Sequence, residues 1–192
     1  MLRRALALLA APALLALVPA PAPDARINAV AADIDKACAA DVDRALLGRP
    51  QSFARLYGVA ADGRWHPLTP AVEHRIAHDP DIYSEVARAW TVESKVVLVD
   101  IASRSLELRA EATYCFRRSG TLARVMESSS GAEVRDDEAR YFDERGAVVA
   151  RRSKFYPYSP LATATVSPVF KPSTPTLYLT VRALPFLKYM TE

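Results

Sequence analysis

The sequence predicts an α+β fold in which an N-terminal amphipathic helix packs on an antiparallel β-meander of about five strands. Three observations carry this. Apolar residues recur at spacings of three and four between Asp24 and Leu47. Alternating and β-branched runs begin at Lys95. A short pattern then occurs twice, as Phe116-Arg117-Arg118-Ser119-Gly120-Thr121-Leu122 and as Phe142-Asp143-Glu144-Arg145-Gly146-Ala147-Val148. In each copy aromatic and β-branched residues lead into three polar residues and a glycine, then back into aliphatics, which is the signature of strand, turn and strand. The glycine supplies the positive φ of the turn.

The chain opens with Met1-Leu2-Arg3-Arg4, then an apolar run from Ala5 to Val18 that closes in Pro19-Ala20-Pro21-Ala22-Pro23. A basic start, a short apolar stretch and small residues read as a secretory signal peptide over 1–22, cut after Ala20 or Ala22. The run is shorter than the roughly 20 apolar residues that span a bilayer, so no permanent membrane anchor is expected there. Loss of residues 1–22 removes two arginines and leaves 23 basic side chains against 22 acidic. Such a near-neutral chain lacks the clustered basic face that nucleic acid requires. Residues 24–156 are expected to form one α+β domain, a size that supports a single sizeable core.

The helix places Ile27, Val30, Ile34, Cys38, Val42 and Leu46 on one face and stops at Gly48. Its charges, Asp33, Asp35, Lys36, Asp41, Asp43 and Arg44, read as a solvated opposite face. Glycines and prolines divide 51–80 into short pieces, with a turn at Asp62-Gly63. Thr69-Pro70 is a helix start leading to His78, and Asp79-Pro80 repeats it for a second short helix, 81–90, with Ile82, Val86 and Trp90 on one face. Strands follow at Val96–Val99, Leu106–Phe116, Thr121–Ser128, Glu138–Phe142 and Ala147–Phe155, with a polar connection from Ser128 to Asp137. Beyond Tyr156, six prolines and the lack of any acid between Glu144 and Glu192 mark 157–192 as a proline-rich C-terminal tail. It is expected to be extended and partly disordered and to wrap the domain or meet a partner, with Thr176–Val181 able to form an edge strand.

Cys38 and Cys115 are the two cysteines. In an exported chain they invite a disulfide, and the alternative is two separate buried thiols. His66, His74 and His78 fall within one short stretch. The i, i+4 spacing of His74 and His78 places both imidazoles on one helix face, where they can share a metal ion with His66 or Asp79. Arg75 stands where the general base of H-E-x-x-H would be, so the pattern is not that of a zinc protease. No G-x-S-x-G elbow or phosphate-binding glycine loop is present. The acids at Asp136-Asp137-Glu138 and Asp143-Glu144 lie at polar turns, where nothing raises a carboxyl for general-acid work. Tyr114, Phe116, Tyr141, Phe142, Phe155, Tyr156 and Tyr158 read as core and cross-strand pairs, some of them lining a pocket for an apolar ligand.

The hairpin residues Tyr114-Cys115-Phe116-Arg117-Arg118-Ser119-Gly120-Thr121-Leu122 and Tyr141-Phe142-Asp143-Glu144-Arg145-Gly146 resemble those of exported bacterial proteins of unknown function. In these, a signal peptide and a helix precede repeated aromatic-x-x-x-Gly-x-Leu β-hairpins. The resemblance implies a periplasmic or extracellular location and carries no catalytic residue or cofactor with it. The expected role is a non-catalytic binding or interaction module whose partner is an envelope protein or a small apolar ligand. The competing expectation is a metal-binding protein or metal-dependent enzyme built on His66, His74 and His78.

Overall fold

The computed structural model describes residues 23–58, 61–78, 83–104, 109–130, 134–157 and 176–190; residues 1–22, and 158–175 and 191–192 of the proline-rich stretch, lie outside them. Helix α1, Pro23–Ala45, begins with proline at its first position and Asp24 in its first turn, and carries Arg44 in its last. Two strands follow, β1 (Gln51–Tyr57) and β2 (Trp65–Pro67), then helix α2 (Pro70–His78). Six long strands complete the sheet: β3 (Tyr83–Val92), β4 (Lys95–Arg104), β5 (Arg109–Phe116), β6 (Leu122–Ser130), β7 (Val134–Phe142) and β8 (Val148–Pro157). Their order is β2-β1-β3-β4-β5-β6-β7-β8, every neighbouring pair being antiparallel.

The α+β class and the meander stand, but the described sheet has eight strands rather than about five. The largest correction is at 81–90, expected as a helix: residues 83–90 lie in β3, and 81–82 are outside the described residues. Val86 and Trp90 are spaced by four, which satisfies a period of two as well as one of 3.6. Between them, Ala87 and Ala89 are buried on the opposite face against β1 and β4, which no one-sided helix accounts for. The polar connection expected from Ser128 to Asp137 is also largely strand, because Ser128–Ser130 pairs with Arg135–Asp137. Thr176–Val181 forms no edge strand; it makes one bridge, Thr121 to Thr180, and turns into a 3-10 helix at Val181–Ala183. Two expectations hold closely. Thr69 caps α2 through Val72 N–H, 3.4 Å from its hydroxyl, and Gly120 and Gly146 close their hairpins at φ of 85° and 83°.

Both faces of the sheet are covered, by different parts of the chain. On one face, residues 176–190 lay Leu184 and Phe186 over Phe53, Trp65, Val99, Tyr114, Phe116, Leu122 and Val125. Phe186 is fully buried, stacked on Phe53 at 4.8 Å and edge-on to Trp65 at 5.2 Å. The segment is fixed by Leu122 N–H donating to the Leu179 carbonyl, Val181 N–H to that of Gly120, and the Tyr114 hydroxyl to that of Thr176, each at 2.9 Å. Register shifts at Trp90/Thr91, Cys115/Phe116 and Tyr141/Phe142 fall at one end of alternate strands. Such bulges raise the local twist and curl that end of the sheet.

On the other face α1 crosses the strands. Ala31 meets Tyr141 and Ala150, Cys38 meets Cys115 and Ala123, and Ala45 meets Val97 and Leu98. The buried stripe is thus Ala31, Cys38 and Ala45, with Asp35 and Val42 beside it, while Ile27, Val30 and Leu46 of the expected apolar face are 43–58% exposed. Small residues win the sheet side because they let the helix approach the strands closely. Asp33, Lys36, Asp43 and Arg44 are solvent-exposed as expected, but Asp35 and Asp41 turn toward the sheet.

Candidate functional site

α1 covers only part of its face. Beneath it lies the cross-strand row Leu98, Cys115, Arg124, Tyr141 and Ala150. The next two rows on that face, Thr113–Met126–Ala139–Arg152 and Glu111–Ser128–Asp137–Lys154, extend beyond the helix. They floor a groove of about 470 Å³. Alternation of side chains along each strand is what brings these residues to one surface.

Asp35 of α1 reaches the groove's edge through Arg152. Its carboxylate accepts from Arg124 at 2.6 Å, from Arg152 at 3.1 Å and from the Tyr141 hydroxyl at 3.1 Å. Burial, and then the bond to Asp35, push the Tyr141 hydroxyl up from its ordinary value. The Arg152 guanidinium also lies over the Tyr141 ring at 5.3 Å. At the outer end, Arg135 donates to Asp137 at 2.8 Å, and Lys154 stands over the Tyr156 ring at 4.6 Å. Burial would raise the Asp137 carboxyl, but hydrogen bonds from Arg135 and Ser128 outweigh it and hold the group below its ordinary value. On the opposite side Thr113 donates to Asp100 at 3.2 Å, and burial pushes that carboxyl up.

Charge changes across the groove. Arg152 and Lys154 lie on β8 and Glu111 on β5, with Met126 and Ala139 between them, while Arg135 is answered by Asp137 on β7; Met126 is 46% exposed on the floor. Three strand spacings separate the two sides, about 14 Å. A ligand with an anionic end, an apolar middle and a cationic end matches that arrangement.

The expected site residues are distributed elsewhere. Cys38 and Cys115 form a disulfide, S–S 2.10 Å, that ties the middle of α1 to β5. His66 lies on β2, its Nε2 2.7 Å from Asp62. The Arg64 backbone N–H, and then His66, hold Asp62 below its ordinary value. His74 and His78 do share a face of α2, with rings stacked at 4.1 Å and His78 Nδ1 2.9 Å from the His74 carbonyl oxygen. Asp79 lies outside the described residues. Among those described, no three His, Cys, Asp or Glu side chains are grouped as a metal site would need. Of the aromatic set, Tyr114, Phe116, Tyr141 and Phe142 are buried, Phe155 is half-exposed, and Tyr158 is not among the described residues.

The residue that sequence reasoning missed is Asp35. Its signal was its distance from Cys38: residues 31, 35, 38, 42 and 45 share a helix face, so a Cys38 bonded to the sheet brings Asp35 with it. No family model, curated protein or solved structure was found to match the chain.

Proposed function

We propose that this protein is an exported, non-catalytic binding module of the bacterial envelope, periplasmic or extracellular, that holds a small ligand in the groove beside α1. The observation that carries the reading is the open surface formed where α1 leaves its face of the sheet, with the cations Arg152 and Lys154 on β8, the acid Glu111 on β5 and Met126 between them. Pockets of this kind fix a ligand with a few placed polar groups around an apolar centre. The ligand class is a small zwitterion with an apolar middle. Export is supported by the leader-like start of the sequence and by the Cys38–Cys115 bond, which persists in oxidising compartments. No helix among the described residues is long and apolar enough to cross a membrane.

Native mass spectrometry tests this on protein released from the periplasm without reductant or chelator. The expected species begins after Ala20 or Ala22, is lighter than the reduced chain by two hydrogens, and carries a small organic mass. Ser128→Trp fills the groove floor and is expected to lose that mass at an unchanged melting temperature. A bare chain, or a mass that survives Ser128→Trp, overturns the groove reading. A stoichiometric metal that disappears in His74→Ala would replace it with the metal-binding one.

A further inference from the structure

The two edges of the described sheet are built differently. β2 is three residues long and ends in Pro67, the short proline-blunted form that proteins use to close an edge. β8 runs for ten residues, Val148–Pro157, with no proline before its last position, and no described strand pairs with its outer side. In an edge strand of that kind, every second N–H and C=O points outward without a ladder partner.

Two features say what fits there. The first is charge. β8 contributes Arg151, Arg152 and Lys154 and no acid, and the carboxylates that answer them, Glu138, Asp137 and Asp35, lie inward on β7 or on α1. The outermost charges along the edge are all positive. A second copy of β8 laid antiparallel would set cation against cation, which is destabilising across a strand pair. An acidic strand meets the opposite sign.

The second feature is the reach of α1. The helix crosses the sheet from Ala31 over Ala150 on β8 to Ala45 over Leu98 on β4. Fourteen residues at a helical rise span about 21 Å, which matches four strand spacings of about 4.8 Å, so α1 runs nearly square to the strands. One turn before Ala31 therefore lies about 6 Å beyond β8, over the position that an added strand would occupy. Ile27 stands there with Val30 beside it, both apolar and both more than 40% exposed.

We infer that the open edge of β8, roofed by Ile27 and Val30, receives an extended acidic segment of a partner protein as a ninth strand. The partner's acids oppose Arg151, Arg152 and Lys154, its backbone completes the β8 ladder, and an apolar side chain lies under Ile27. Backbone pairing gives such a contact its affinity, and the alternating side chains give it specificity. Arg152 and Lys154 also line the groove, whereas Arg151, the outer backbone of β8 and Ile27 belong to this edge alone, so pairing along the edge does not require the groove's ligand.

The probe is a synthetic peptide that alternates glutamate and valine over the length of β8, titrated into the oxidised full-length mature protein and followed by fluorescence anisotropy. Its lysine–valine counterpart and a copy N-methylated at alternate amides serve as comparisons. The glutamate peptide is expected to bind, more weakly in high salt, with both comparison peptides failing. Lys154→Glu and Ile27→Ser, each checked for an intact melting transition, are each expected to weaken binding by about tenfold or more, the first through charge and the second through the roof. Ser128→Trp is expected to leave it unchanged, which separates this surface from the groove. Equal binding of the N-methylated peptide reduces the contact to charge and overturns the inference. So does no binding at all, which would mean that the edge is already covered by this chain's own residues or by a second copy.

Discussion

The sulfurs of Cys38 and Cys115 are bonded across 77 residues of sequence, fixing the middle of α1 to β5 at a point where both side chains are almost fully buried. α1 otherwise holds the sheet by Ala31 and Ala45, by the partly buried Ile34 and Val42, and by the carboxylate of Asp35, a narrow apolar contact for 23 residues. The bond therefore carries much of the helix's attachment. Closing a loop of that length removes about 4 kcal/mol of unfolded-state entropy in the chain-entropy account. The double variant Cys38→Ala/Cys115→Ala is expected to lose most of that in urea unfolding and to melt roughly 10 °C lower. A loss below about 1 kcal/mol would show that α1 is held without the bond.

Phe186 is the second anchor, far along the chain and on the other face. It is fully buried between Phe53 and Trp65, and with Leu184 it closes the larger of the two cores. Truncation of a buried phenylalanine costs about 3–5 kcal/mol, so Phe186→Ala is expected to destabilise the whole protein by that order, and Phe186→Leu by much less. The check is a denaturant transition followed by both tryptophan fluorescence and far-ultraviolet circular dichroism. Coincident shifts of both signals are expected, since Trp65 reports the contact and the sheet reports the fold. A shift confined to fluorescence would mean that residues 176–190 detach from a sheet that stays folded.

The hairpins were legible because their turns need a residue that reaches positive φ, and glycine at 120 and 146 announces it. The first strands were not. Gln51–Tyr57 lies between prolines and glycines, and what makes it a strand is pairing with β3, a contact between segments about thirty residues apart that no local pattern encodes. The Glu93-Ser94 turn between β3 and β4 shows the same limit. Both residues take positive φ, 52° and 61°, without glycine, so the usual turn signal is missing and the long hairpin reads as a helix followed by a strand. For the groove, the residue types were visible but their meeting was not. Register sets Thr113, Met126, Ala139 and Arg152 side by side, and register is decided by the whole sheet.

Asp100 connects that register to a pH dependence. It lies beside Thr113 on the helix-side face, opposite Arg88 on β3 and near Glu111 on β5, and burial raises its carboxyl above the ordinary 3.8. The native protein therefore keeps this proton at pH values where the unfolded chain has lost it. Between 3.8 and the raised native value the folded state binds more protons, so its stability falls as pH rises through that window and stays lowered above it. Glu127, also raised by burial, acts in the same direction from its ordinary 4.5. Asp143 acts oppositely, because the N–H of Ala147 above all, and then that of Arg145, bond its carboxylate and depress its value. Its stabilisation is present above 3.8 and is lost as pH falls through the depressed value. The wild-type protein is thus expected to be most stable at mildly acidic pH. Asp100→Asn keeps an acceptor for the Thr113 hydroxyl and removes the charge, so it should stabilise the protein at pH 7 and converge on wild type below pH 3.8. Urea midpoints for both proteins across that range decide it: a difference constant with pH, or a variant weaker at pH 7, would mean that the Asp100 charge is favourable where it stands.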